Sequence, residues 1–165
     1  MEDVEYVAAM FLPLLLITTA CQIDPEARSA TTYVAKLQPL MQENSLLAER
    51  VLYQAAAIYN GATRPDEVAD AWSSDIVPLA EHLHHQAGFV EPPENWSQQH
   101  AALVAVWGER AHAYRSISEG LERADKDLGE QGRNLAEQVK LKEESWFEEV
   151  NGQIGPMGFT IDAYP

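Results

Sequence analysis

Residues 34–58, VAKLQPLMQENSLLAERVLYQAAAI, decide the fold of this chain because they carry its longest regular pattern of apolar side chains. The pattern advances in alternating steps of three and four residues, which places its members on one face of a helix. These members are Val34, Leu37, Met41, Asn44, Ala48, Val51, Ala55 and Ile58. Pro39 has no N–H for the carbonyl of residue 35, so we expect a kink or a break near residues 35–38. Asn44, the polar member, either fixes the helix register or bonds to a neighbour.

Three further stretches carry the same periodicity. Their apolar faces extend over residues 68–87, 96–121 and 135–150. Pro78 interrupts the first of these, so that helix either kinks or restarts with Asp75 as its N-cap. The breaks between helices fall at Asn60-Gly61, at Pro92-Pro93 and near Gly129 and Gly132. No segment alternates like a strand, and short connections favour antiparallel neighbours.

The sequence therefore predicts an all-α fold, an antiparallel four-helix bundle with kinked helices, over residues 30–150. An extended C-terminal tail follows at residues 151–165. Three tryptophans lie on the apolar faces and are expected in the core, with each indole N–H bonded to a partner: Trp72, Trp107 and Trp146. Four glutamates of the last helix are expected to face solvent: Glu143, Glu144, Glu148 and Glu149.

The chain is strongly acidic. Its 165 residues, enough for one domain with a real core, include 26 acidic and 11 basic side chains, for a net charge of −15. Such a field repels phosphate backbones, so nucleic acid is excluded as a partner. The densest positive stretch, Arg110 to Lys126, is interleaved with acids, which is typical of a solvated face.

The N-terminal residues form a separate apolar segment. Residues 7–21, VAAMFLPLLLITTAC, carry no charge but are shorter than the roughly 20 residues of a membrane-spanning helix. Thr18-Thr19-Ala20-Cys21 resembles the lipobox of bacterial lipoproteins, which implies a signal-peptide-like segment at residues 1–20 and a lipid on Cys21. Residues 21–29 would then be a tether. The alternatives are an uncleaved anchor and an ordinary core helix.

The resemblance to lipoproteins implies export to the cell envelope and a membrane anchor through the N-terminal lipid. Gln22 after the cysteine implies, by the same resemblance, sorting to the outer membrane if the source is Gram-negative. Cys21 is also the one cysteine of the chain, which excludes an internal disulfide.

Histidine and glutamate form the one pattern that could carry metal chemistry. Two E-x-x-H motifs occur, and residues three apart on a helix share a face that can bind one ion. Paired motifs of this kind resemble the di-iron ferritin-like bundles, although there they lie on alternate helices, whereas here they fall on consecutive ones. The candidate ligands are Glu81, His84, His85, Glu109 and His112. The competing interpretation is that these side chains belong to solvated polar faces.

Three hypotheses for function follow. The first is a non-enzymatic envelope lipoprotein, a helical interaction or accessory module with a protein partner. The second is an exported metal-binding helical bundle, and the third is a cytoplasmic helical assembly subunit. The sequence holds no G-x-S-x-G elbow, H-E-x-x-H motif, phosphate-binding loop or G-x-G-x-x-G, so it indicates no catalytic residue.

Overall fold

The computed structural model describes residues 24–61 and 64–162, and every regular element in these ranges is helical. The helices are α1 (Pro25–Tyr59), α2 (Pro65–Ala71), α3 (Val77–Phe89), α4 (Ser97–Glu122) and α5 (Lys126–Ile154). Short 3-10 turns precede α4 and follow α5. The all-helical prediction is confirmed, and the predicted segment 1–20 and lipid attachment at Cys21 lie outside the described residues. No helix in the described ranges is long and apolar enough to cross a membrane.

Helix α1 begins earlier than the sequence predicts and continues through its proline. The Asp24 carboxylate accepts a hydrogen bond from the Glu26 N–H at 3.0 Å, and Pro25 occupies the first helical position. The helix thus starts inside the segment that we expected to be a tether. It is not broken at Pro39.

A π-helical segment, Trp72–Ile76, joins α2 to α3, so the backbone remains helical from Pro65 to Phe89. The Val77 N–H donates to the Trp72 carbonyl, five residues earlier. This wider turn directly precedes Pro78, which has no N–H to donate. Asp75 does not cap a new helix, because its carboxylate pairs with Arg50 of α1.

Glycines bring α4 and α5 into close contact. A Cβ on Gly120 would lie 2.6 Å from the backbone nitrogen of Gly129, and a Cβ on Gly132 would lie 2.9 Å from the Ala113 carbonyl oxygen. The predicted turn near Gly129 and Gly132 is therefore wrong: both lie inside α5, where they allow backbone-to-backbone packing. The turn lies instead at residues 123–125, and Asp125 caps α5 by accepting from the Leu128 N–H at 3.1 Å.

The core fills the space between these helices. As predicted, Trp72, Trp107 and Trp146 are buried, and the indole N–H groups of Trp107 and Trp146 donate to Glu143 and to the Gln99 carbonyl. The prediction of a bonded indole is wrong for Trp72, whose Nε1 has no hydrogen-bond partner among the described residues. The largest fully buried apolar side chains are Trp96, Trp107, Tyr33, Leu37, Leu47, Ile76, Leu83, Leu103 and Ile154. Apolar packing of this kind is the main stabilising contribution to a helical fold.

The core also contains a small polar network, formed by Tyr33, His100 and the backbone of Ala87. His100 Nε2 donates to the Ala87 carbonyl at 3.0 Å, which leaves Nδ1 of the neutral ring to accept from the Tyr33 hydroxyl at 3.3 Å. Burial lowers the pKa of His100, opposed by the bond to Ala87, and burial raises the pKa of Tyr33. Trp96 stacks on the Tyr33 ring. These residues therefore hold α1, α3 and α4 together without a charge.

Candidate ligand-binding cleft

Glu143 of α5 is a buried carboxylate. It is 1% exposed, although the sequence analysis placed it on the solvent face. Its Oε1 accepts from Trp107 Nε1 at 2.8 Å, from Arg110 Nη1 at 2.9 Å and from Asn44 Nδ2 at 3.3 Å. The expectation of an outward Glu143 is wrong because these donors replace the water that a carboxylate would otherwise need.

Arg110 of α4 is buried with it. The side chain is 5% exposed, so its assignment to a solvated face is also wrong. Besides the bond to Oε1, Nη1 donates to Glu143 Oε2 at 3.2 Å, and the guanidinium carbon lies 5.2 Å from the centroid of the Trp107 ring. The Nε and Nη2 groups of Arg110 are buried and have no hydrogen-bond partner among the described residues. One edge of the guanidinium is thus unused.

The periodicity of the sequence contained a signal for this polar cluster. Val139, Glu143, Trp146 and Val150 advance by steps of four, three and four, so Glu143 occupies a member position of the last apolar face. Asn44 lies on the first face in the same way. A charged side chain at such a position indicates a buried ion pair when the facing helix offers a partner.

An open cleft of about 470 Å³ lies next to this ion pair. Helix α1 forms one wall, and α4 and α5 form the others. Four of its lining residues are aromatic or belong to the buried ion pair: Trp72, Arg110, Tyr114 and Glu143. The remaining lining is mostly aliphatic and consists of Ala48, Val51, Leu52, Ala55, Ile58, Ile117, Leu121, Arg133, Ala136, Glu137 and Lys140. The volume falls within the roughly 300–1,000 Å³ of small-molecule sites.

The cleft exists because the second half of α1 is not covered. After Leu47, Ala57 is the one buried residue of this helix. Of the predicted apolar face, Ala55 and Ile58 are exposed, so the prediction is correct in the first half of the helix but that face is open in the second half. Leu52, next to this face, is 68% exposed. Contiguous exposed apolar surface is a feature of ligand-binding grooves.

The charge of the cleft differs from that of the protein. Arg110, Arg133 and Lys140 line it together with Glu137 and Glu143, which gives the lining one net positive charge in a chain of net charge −15. Lys140 pairs with Glu144 at 3.7 Å, whereas Arg133 makes no ion pair within residues 24–61 and 64–162. Near Arg110 and Glu143, burial raises the pKa of Tyr114, which therefore stays protonated. The cleft combines apolar walls with local positive charge.

Most of the predicted metal ligands have other partners in the structure. Glu81 pairs with Arg115, and Glu109 pairs with Lys142. His84 Nδ1 lies 3.1 Å from the Val104 carbonyl oxygen. His85 contacts the Phe89 ring edge-on, and His112 is exposed on α4. The part of the chain that the structure describes holds no group of three or more side chains arranged to bind a metal ion.

We predict that Arg110 and Glu143 stabilise the protein only as a pair. Arg110→Met or Glu143→Leu alone leaves an uncompensated buried charge, so each should lower the free energy of unfolding by about 3–5 kcal/mol. The double variant should lose less than either single variant, because no buried charge remains. Urea unfolding of the four proteins measures this coupling.

The control is Glu144→Leu, the next residue of α5, whose half-exposed carboxylate pairs with Lys140. This change should alter stability by less than about 1 kcal/mol. Additive losses in the double variant, or a loss in Glu143→Leu no larger than that in Glu144→Leu, would contradict the buried pair.

The chain matches no protein-family model, no curated protein and no solved structure.

Proposed function

We propose that the protein is a lipid-anchored, non-enzymatic binding module of the cell envelope, and that the cleft between α1, α4 and α5 is its binding site. The observation that carries the proposal is the open apolar lining next to a buried ion pair. On a chain this acidic, such a surface is costly to leave exposed to water unless a ligand covers it.

The proposed arrangement is an antiparallel four-helix bundle, with α2, the π-helical segment and α3 counted as one helix. Contacts between α4 and α5 support this orientation. Gln99 contacts Trp146, Trp107 contacts Glu143, and Gly120 lies against Gly129, so the numbers rise in α4 as they fall in α5. In such a bundle, ligand sites form between facing helices.

The proposed anchor precedes α1 by a few residues. Cys21 stands three positions before Asp24, the N-cap of α1. The cleft residues of α1 start at Ala48, which is about 35 Å along the helix from Pro25 at 1.5 Å per residue. A lipid on Cys21 would therefore leave the cleft accessible to ligands in the aqueous compartment.

Lipidation of Cys21 is directly measurable. Mass spectrometry of protein extracted from membranes should show Cys21 as the N-terminal residue, carrying a lipid, and Cys21→Ser should abolish that modification. The Cys21→Ser variant should also leave the membrane fraction. A soluble wild-type protein that retains Met1 would refute the anchor and favour the cytoplasmic-subunit hypothesis.

Ligand binding in the cleft is tested with a matched pair of alanine variants. Ala55 and Ala56 are both exposed on α1, but of the two only Ala55 lines the cleft. Ala55→Trp should fill the cleft and weaken binding of Nile red, a neutral apolar dye, by about tenfold or more. Ala56→Trp should leave the fluorescence titration unchanged. Equal dye binding by both variants, or none by the wild type, would reject the cleft as a binding site.

A further inference from the structure

We propose that the ligand of this cleft is a single-chain amphiphile with a carboxylate head group, such as a medium-chain fatty acid. This inference rests on the proposed binding function of the cleft and adds the chemical class of the ligand. The carboxylate would bind the unused edge of Arg110, and the alkyl chain would lie along the aliphatic wall of α1.

The free edge of Arg110 determines the head group. Glu143 takes its hydrogen bonds from Nη1, which leaves the N–H groups of Nε and Nη2 without partners among the described residues. These two nitrogens present parallel N–H groups, the geometry that binds both oxygens of a carboxylate. Because Arg110 is buried, these donors have lost their hydrogen bonds to bulk water, which is unfavourable. A ligand carboxylate would supply an acceptor for each of them.

The charges of the lining favour an anion over a neutral or cationic head group. Of the three cations in the lining, Arg110 is paired with Glu143 and Lys140 with Glu144. Arg133, which is exposed and has no ion pair in the described part of the chain, lies at the same cleft and attracts the anion. A cationic head group would instead face Arg110 and Arg133.

The shape and lining of the cleft favour a single alkyl chain. Val51, Leu52 and Ala55 of α1 line the cleft together with Ile117 and Leu121 of α4, and all five side chains are aliphatic. The cleft holds about 470 Å³, toward the small end of the usual range for ligand sites. The apolar tail would cover the surface of α1 that the other helices leave exposed.

The test compares decanoate with decanol by calorimetric titration of the full-length protein. The two probes share the same alkyl chain and differ in the charged head group. Wild-type protein should bind decanoate about tenfold or more tightly than decanol. Arg110→Lys keeps the charge beside Glu143 but removes the parallel N–H pair, so it should lose most of this preference.

A surface variant keeps the test valid if Arg110→Lys does not fold. Arg133→Gln should weaken decanoate binding about two- to fivefold and leave decanol binding unchanged. Arg123→Gln is the matched control, because Arg123 is also exposed but pairs with Glu119 outside the cleft. It should bind both probes as the wild type does.

Three outcomes would overturn the inference in distinguishable ways. If decanol binds as tightly as decanoate and Ala55→Trp blocks both, the carboxylate preference is wrong and the apolar cleft stands. If neither probe competes with Nile red in a protein that binds the dye, the fatty-acid ligand is wrong and the proposed function survives. A wild-type protein that binds no Nile red would refute both the fatty-acid ligand and the proposed binding function.

Discussion

The Glu143 carboxylate of α5, buried against α1 and α4, is the constraint on which the rest of the structure depends. A charge removed from water must find donors, and here they come from Asn44 of α1 and from Trp107 and Arg110 of α4. Each bond requires a particular side chain at a particular position. Apolar packing allows several registers between helices, whereas this cluster accepts one. We infer that Glu143 fixes how α1 and α4 sit against α5.

Arg110 and Glu143 of the same cluster also line the cleft. Arg110 satisfies Glu143 through one nitrogen and keeps its other edge unused, and the α1 face beyond Leu47 is left without a covering helix. The π-helical segment that begins at Trp72 borders this region, consistent with the frequent occurrence of such segments at functional sites. A more complete core would satisfy Arg110 internally and leave no space for a ligand.

Much of the fold follows from the sequence, because apolar periodicity reports which residues share a helix face. The faces over residues 68–87 and 96–121 are buried or half-buried in the structure as predicted. Periodicity does not report whether another helix covers a face, which is why the exposure of Ile58 was missed. Gly132 was misinterpreted as a turn residue. A glycine can also allow close contact between two helices, and whether it does depends on the facing helix, which periodicity does not report. To predict the cleft from the sequence, Arg110 and Glu143 would have to be assigned to the core, although Arg and Glu usually face water.

The exchange of the Arg110 side-chain protons with water tests the buried ion pair most directly. In ligand-free, nitrogen-15-labelled protein near neutral pH, the Nε–H of Arg110 should exchange about tenfold or more slowly than that of Arg123, because Arg110 is buried whereas Arg123 is exposed. Glu143→Gln should accelerate exchange at Arg110 and leave Arg123 unchanged. Equal rates at the two arginines in the wild-type protein would show that Arg110 lies in water, and the account of the core and of the cleft would be wrong.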